Sequence, residues 1–298
     1  MSSFASVIID GIIYSSWLFI MAAGLTLIYG VMKILNMTHG SLYALGAYTA
    51  ASFVGYWLNH GYPPLATYGV LLAAAIVVGI IAGLLIERGV LRFMYGKHEV
   101  ILLLVTYALF LILEDTVKLI WGVDSYAVAD PYILLGNFEI FGLSYPMYNV
   151  LLLGIAIIVG IGLTWLITRT ITGKLLTAVI HDREMAASVG INVERFYTLT
   201  FILGAILAAL GGAFTAPTVS IVPGMGVEVI VLAFAVIVIG GLGSLPGAAL
   251  GALLVGIVRS ASVHYWPEVE LFSIYFVMAL VLILKPKGLF SAPEARKI

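Results

Sequence analysis

Nine stretches of this chain are predominantly apolar and are separated by polar connectors: residues 11–32, 40–58, 65–86, 100–121, 147–168, 196–217, 227–243, 247–265 and 269–285. A hydrocarbon core about 30 Å thick needs roughly 20 helical residues per crossing. The pattern therefore predicts an all-α polytopic membrane protein with about eight or nine transmembrane helices. The count is open at one place. Val229 to Val258 carries no charge, and as one helix it would run for about 45 Å, more than one span and less than two. Gly240, Gly241, Gly243, Pro246 and Gly247 interrupt it, which predicts a broken or re-entrant helical pair over 229–258.

Two connectors carry patterns of their own. In the loop at about 122–146, Tyr132 to Leu135 and Phe138 to Phe141 flank Gly136-Asn137, the signature of a β-hairpin closed by a two-residue turn. In the connector at about 169–195, the acids of Asp182-Arg183-Glu184 sit where a helix macrodipole favours them. Met185, Ala186 and Val189 supply an apolar face, and Gly190 supplies a stop. A short amphipathic helix is expected there. A partner-engaging element and a solvated loop resting on headgroups both fit that pattern.

Charge orients the threading. Of the 14 Lys and Arg residues, all but Lys118 and Arg259 fall in alternate connectors or the tail, at Lys33, Arg88, Arg92, Lys97, Arg169, Lys174, Arg183, Arg195, Lys285, Lys287, Arg296 and Lys297. By the positive-inside bias the N-terminus is outside and the C-terminus inside. Glu114 and Lys118, four apart, are expected to neutralise one another, and Arg259 is expected to reach Glu268 or Glu270. Trp57, Trp121 and Trp266 fall where an outer aromatic belt would lie.

Composition agrees: 62% of residues are hydrophobic and 10% charged, against the roughly 45–50% apolar usual in soluble domains. Residues 1–298 are expected to form one transmembrane domain, its first helix retained because no basic n-region precedes it. A net charge of -1 argues against nucleic acid as a partner. There is no cysteine, and His39, His60, His98, His181 and His264 are scattered, without metal-ligand spacing. Neither Gly96-Lys97-His98 nor Gly173-Lys174-Leu175 completes a phosphate-cradling loop. The chain is read as no enzyme and as needing no cofactor.

Two polar interruptions are candidates for a substrate pathway or gate, because unwound backbone at membrane depth is tolerated where it lines a cavity or is packed in protein. The first comprises Asn36, Thr38, His39, Gly40, Ser41 and Tyr43, the second Gly243, Ser244 and Pro246. For His39 the competing reading is an interfacial residue bonded to backbone. For most of the glycines it is close helix packing.

Glu184-Met185-Ala186-Ala187-Ser188-Val189-Gly190 resembles the Glu-Ala-Ala…Gly loop of ABC importer permeases, with Met185 intervening and two residues before Gly190. Gly24-Leu25-Thr26-Leu27-Ile28-Tyr29-Gly30, Asn36-Met37-Thr38-His39-Gly40 and Leu45-Gly46-Ala47-Tyr48 are similar to the opening of the branched-chain amino-acid permeases. So are Gly240-Gly241-Leu242-Gly243-Ser244-Leu245-Pro246-Gly247 and the tail Lys285-Pro286-Lys287-Gly288-Leu289-Phe290. The resemblance implies a permease subunit of a prokaryotic inner-membrane importer. It implies two cytoplasmic ABC ATPase subunits, a second related permease in a heterodimer, an extracytoplasmic solute-binding protein and surrounding lipid. Asp182, Arg183, Glu184, Met185, Ala186, Ala187 and Gly190 become the expected ATPase-coupling residues. Branched-chain or other small neutral amino acids are the implied solutes. The rival is a self-contained secondary transporter or channel for a small neutral solute such as urea or an amide.

Overall fold

Long apolar runs without internal proline form helices, and the chain follows that rule over nearly all of its length. The computed structural model describes residues 2–140 and 142–290; Phe141, Arg296 and Lys297, all used in the sequence reading, lie outside them. In order, the elements are α1 (Ser2–Met32), α2 (Thr38–Asn59), α3 (Thr67–Gly89), α4 (Glu99–Trp121), α5 (Asp130–Ile133), β1 (Asn137–Ile140) and β2 (Leu143–Pro146). There follow α6 (Met147–Arg169), α7 (Ile171–His181), α8 (Arg183–Ser188), α9 (Val193–Thr215), α10 (Met225–Gly240), α11 (Leu245–Tyr265) and α12 (Glu270–Leu284).

Among the described residues, seven helices are long and apolar enough to cross a membrane: this is an all-helical membrane protein. Two of the nine expected spans fall outside that set. α2 has the length, at 22 residues, but its Thr, His, Ser and Tyr residues make it less apolar. α10 has 16 residues, about 24 Å of helix. The interruption predicted near 240–247 is present as the gap between α10 and α11, and α11 is full length at 21 residues.

α1 and α9 form the centre of the bundle. α1 packs on α11, α9, α6 and α10, while α9 also holds α2 and α3. Small residues let these backbones approach: a Cβ on Gly24 would stand 2.7 Å from the Gly204 carbonyl. α3, α4, α6 and α12 line the periphery with exposed Leu104, Ile158, Ile161 and Ile283, as lipid-facing surfaces require. Trp57 and Trp121 sit at helix ends, donating to Pro63 O at 3.1 Å and Ser52 Oγ at 2.7 Å.

The hairpin is present, but in a different place from the one expected. Asp130-Pro131 starts α5, with the proline in the first turn, and this removes Tyr132 and Ile133 from any strand. The pairing instead joins Asn137 to Pro146 and Ile140 to Leu143, and Gly142 takes φ +76° in the turn. The loop before α5 meets the connector between α9 and α10 in a bridge between Tyr126 and Ile221.

Candidate translocation path and coupling segment

One face of α1 carries Asp10, Tyr14 and Trp17 at helical spacing, and this face forms a wall of a half-open cavity of about 560 Å³. Tyr145 and Pro146 of β2, Asn149 and Leu152 of α6, Thr215, the loop at 218–222, Met225, Glu228 and Leu232 of α10 and Arg259 of α11 complete it. At the hairpin end Tyr145 hydrogen-bonds Asp10; burial, followed by that carboxylate, pushes the Tyr145 hydroxyl above its usual range. At the other end the cavity stops on Trp17 and Tyr43, whose rings lie 6.0 Å apart.

The first polar break lies against this floor. Met21, one turn along α1 from Trp17, accepts a 2.9 Å hydrogen bond from His39 Nε2. His39 is fully buried, and since Nε2 donates to a carbonyl, the bare Nδ1 is an acceptor without a partner. Asn36 is equally buried. Its Oδ1 accepts from Thr38 N at 3.2 Å and Thr38 Oγ1 at 2.5 Å, while its Nδ2 has no partner. Each such orphan costs roughly 1–3 kcal/mol. α4 ties down the end of the unwound segment and the first turn of α2, since Met37 N donates to Thr106 Oγ1 and Ser41 Oγ to Phe110 O at 3.3 and 3.2 Å. Gly40 is required by the approach of α10: a Cβ would collide with the Gly226 carbonyl and stand 3.0 Å from Ile230 Cβ.

The second break is apart from the cavity. Ser244 caps α11, accepting from Gly247 N at 3.1 Å, with Pro246 in the first turn. Gly243 takes φ +79°, a conformation costly for any residue with a Cβ. It abuts the last turn of α1, where a Cβ on Gly30 would lie 3.5 Å from Gly243 Cα. The carbonyls that end α10 are covered by the tail: Leu289 N donates to Ile239 O at 2.9 Å and Phe290 N to Gly240 O at 2.8 Å.

The connector at 169–195 contains two helices, α7 and α8. Asp182 caps α8, its Oδ1 accepting from Met185 N at 2.8 Å, and Gly190 closes it at φ +89°. Ala186 packs inward, whereas Met185 and Val189 are 61% and 68% exposed. The apolar face read from sequence therefore divides, because Met185 and Val189, four apart, share one side while Ala186 lies about 100° round from Met185. Arg183 lies 5.5 Å from the Tyr197 ring. Tyr197 meets Tyr95 edge-on, and Tyr95 donates to Glu87 of α3 at 2.5 Å. Burial, then the Glu87 hydrogen bond and charge, push the Tyr95 hydroxyl far above its ordinary range.

The profile of the family described as "Branched-chain amino acid transport system / permease component" matches residues 7–284. The chain belongs to this family. The permease is 31% identical over 300 residues to the high-affinity branched-chain amino acid transport system permease protein BraD of Pseudomonas aeruginosa, covering 98% of this chain and 97% of that one. It is 28% identical over 301 residues to the high-affinity branched-chain amino acid transport system permease protein LivH of Escherichia coli K12, with 97% and 96% covered. It is 29% identical over 263 residues to a probable LivH protein of Methanocaldococcus jannaschii, with 87% and 81% covered. No solved structure matches it significantly. As the permease component of a branched-chain amino-acid ABC transport system, it is a multi-pass membrane protein homologous to bacterial inner-membrane permeases. It has no catalytic activity of its own, and it works with ATPase and binding-protein partners.

Of the sequence-predicted pathway residues of the permease, Tyr43 borders the cavity, Asn36 lies in the unwound segment between α1 and α2, and Thr38, His39, Gly40 and Ser41, expected in the interruption, form the first turn of α2 instead. Gly243, Ser244 and Pro246 do not reach it. Arg259 does pair with Glu270, at 2.6 Å. Lys118 does not neutralise Glu114: it bonds Asp115 at 2.9 Å, and Glu114 turns inward to accept from Gly224 N at 3.0 Å. The helix spacing made both partners available, and the unpaired amide at the start of α10 claims the buried carboxylate. Trp17, Asn149, Thr215 and Glu228 were missed as cavity residues; the polar-aromatic face of α1 at 10, 14 and 17 was the available signal.

Proposed function

We propose that this permease moves branched-chain or other small neutral amino acids into the cytoplasm by alternating access, with the cavity as its outer vestibule. The hairpin end faces outside and the α7–α8 end faces the cytoplasm, in keeping with the distribution of Lys and Arg. The observation that carries this reading is the alignment of the cavity with the polar segment: the cavity reaches Trp17 and Tyr43, and next to these residues lie buried polar atoms of Asn36 and His39 with no partner. α10 and α11, broken at 241–244, act as a short span and a full span, and Gly243 with Ser244 and Pro246 serves as the inner hinge.

Asp182 to Gly190 is the coupling segment, seated in one of two cytoplasmic ATPase subunits. The exposed Met185 and Val189 are its contact face, and the Arg183, Tyr197, Tyr95, Glu87 series carries its movement to α3. A second related permease completes the membrane pore, and a solute-binding protein docks over the external loop at 122–146 that carries the hairpin. The test is reconstitution in proteoliposomes. Leucine uptake should require ATP inside, the ATPase and the binding protein together, and Gly243→Leu should assemble with the ATPase yet lose transport. Flux through this chain alone, or full uptake by Gly243→Leu, would overturn the reading.

A further inference from the structure

Three charged groups, Asp10, Glu228 and Arg259, line a cavity whose other walls are mostly aromatic and aliphatic, with Asn149, Thr215, Thr218 and Ser220 among them. Arg259 stacks on Tyr14, with its guanidinium carbon 4.1 Å from the ring centroid. Glu270 of α12 holds one corner of the guanidinium through Nη2 at 2.6 Å, while Arg259 itself borders the cavity and Glu270 does not. A guanidinium has five donors in a fixed fork, so the stacked ring and one carboxylate orient it without exhausting it. Glu228, on the first turn of α10, borders the same cavity and makes no ion pair among the described residues. Asp10 already accepts from Tyr145.

We propose that the cavity recognises the two charged ends of a free α-amino acid, Arg259 taking the carboxylate and Glu228 the ammonium, with the side chain directed onto Trp17 and Leu232. This assignment rests on the reading of the cavity as the vestibule of an amino-acid importer. The balance of charge selects the class of solute. An anion meets Arg259 but also Glu228 and Asp10; a cation meets Glu228 but also Arg259; an uncharged solute leaves Glu228 without a counter-charge. Only a zwitterion pairs both, and in a site bordered by protein and lipid those pairings are stronger than in bulk water. The cavity volume of about 560 Å³ lies within the roughly 300–1,000 Å³ of small-molecule sites. Glu270 marks the geometry, since it presents a carboxylate to the same guanidinium that a solute carboxylate would approach from the cavity side.

The test is equilibrium binding of radiolabelled leucine to the purified importer complex in lipid nanodiscs without the binding protein. The competitors are leucine, leucinamide, which lacks the carboxylate, and 4-methylpentanoate, which lacks the ammonium. In the wild type each analogue should compete at least about tenfold more weakly than leucine, a difference of about 1.4 kcal/mol. Arg259→Gln should abolish the gap between leucine and leucinamide, and Glu228→Gln the gap between leucine and 4-methylpentanoate. Glu270→Gln should keep both gaps, which separates a solute site from a bridge between α11 and α12. Equal competition by all three in the wild type, no specific leucine binding, or equal loss in Arg259→Gln and Glu270→Gln would overturn the proposal. If the same complex, moved into proteoliposomes with binding protein and ATP, still takes up leucine, the importer reading survives that failure; if it takes up no amino acid, that reading falls too.

Discussion

Glu87 of α3 has no exposed surface; its Oε1 accepts from Tyr95 and its Oε2 has no partner. Removing one side of a buried hydrogen bond leaves the other desolvated, at a cost of roughly 1–3 kcal/mol, whereas replacing both partners by apolar groups is nearly neutral. Tyr95→Phe should therefore lower the thermal stability of the detergent-solubilised protein, and Glu87→Leu with Tyr95→Phe should recover most of the loss. A double variant less stable than the single one would show that the pair does not act as a unit. At this scale the sequence was legible where a polar group stood out in an apolar run, as Asn36 and His39 do. It was illegible where the partner is remote. Nothing near Glu114 announces Gly224, and Lys118 at helical spacing offered a nearer and incorrect partner. Tyr95 passed unnoticed because an aromatic at the end of a span is ordinary.

α8 owes its start to Asp182 and its end to Gly190, and both signals are local. That is why the segment was found from sequence. Loss of an N-cap costs about 0.5–2 kcal/mol, a large share of what holds so short a helix. Asp182→Ala should reduce leucine transported per ATP hydrolysed in proteoliposomes while Asp182→Ser retains it; equal coupling in the two variants would remove the cap from the mechanism. α7 was not separated from its neighbours because the break at Thr170 is made by that residue's own cap on Gly173 N, at 3.0 Å, within an otherwise continuous helical pattern. The hairpin was anticipated, but its strands were misregistered. Gly136-Asn137 is a common turn pair, and the helix started by Asp130-Pro131 displaced it.

For the whole molecule, the alternation of apolar runs and basic connectors gave the membrane character, and the family motifs distributed along the chain gave the class. Which helices lie at the centre was not legible, because a lipid-facing helix and a buried one are equally apolar; only the density of Gly and Ala along α9 hints at its position. The lack of native cysteine makes the proposed orientation directly measurable. Glu139→Cys should react with a membrane-impermeant maleimide on intact cells, and Met185→Cys only after the membrane is opened and the ATPase removed. Labelling of Met185→Cys on intact cells would invert the orientation.

The strands of backbone that meet at Ile239 and Gly240 also set an order of events during biosynthesis. The final carbonyls of α10 receive their hydrogen bonds from Leu289 and Phe290, which the ribosome supplies only after α11 and α12 have been made. Nascent chains released before that point would hold a helix end with unmet acceptors inside the bilayer, so the quality-control proteases of the membrane have a physical means of telling an unfinished copy from a finished one.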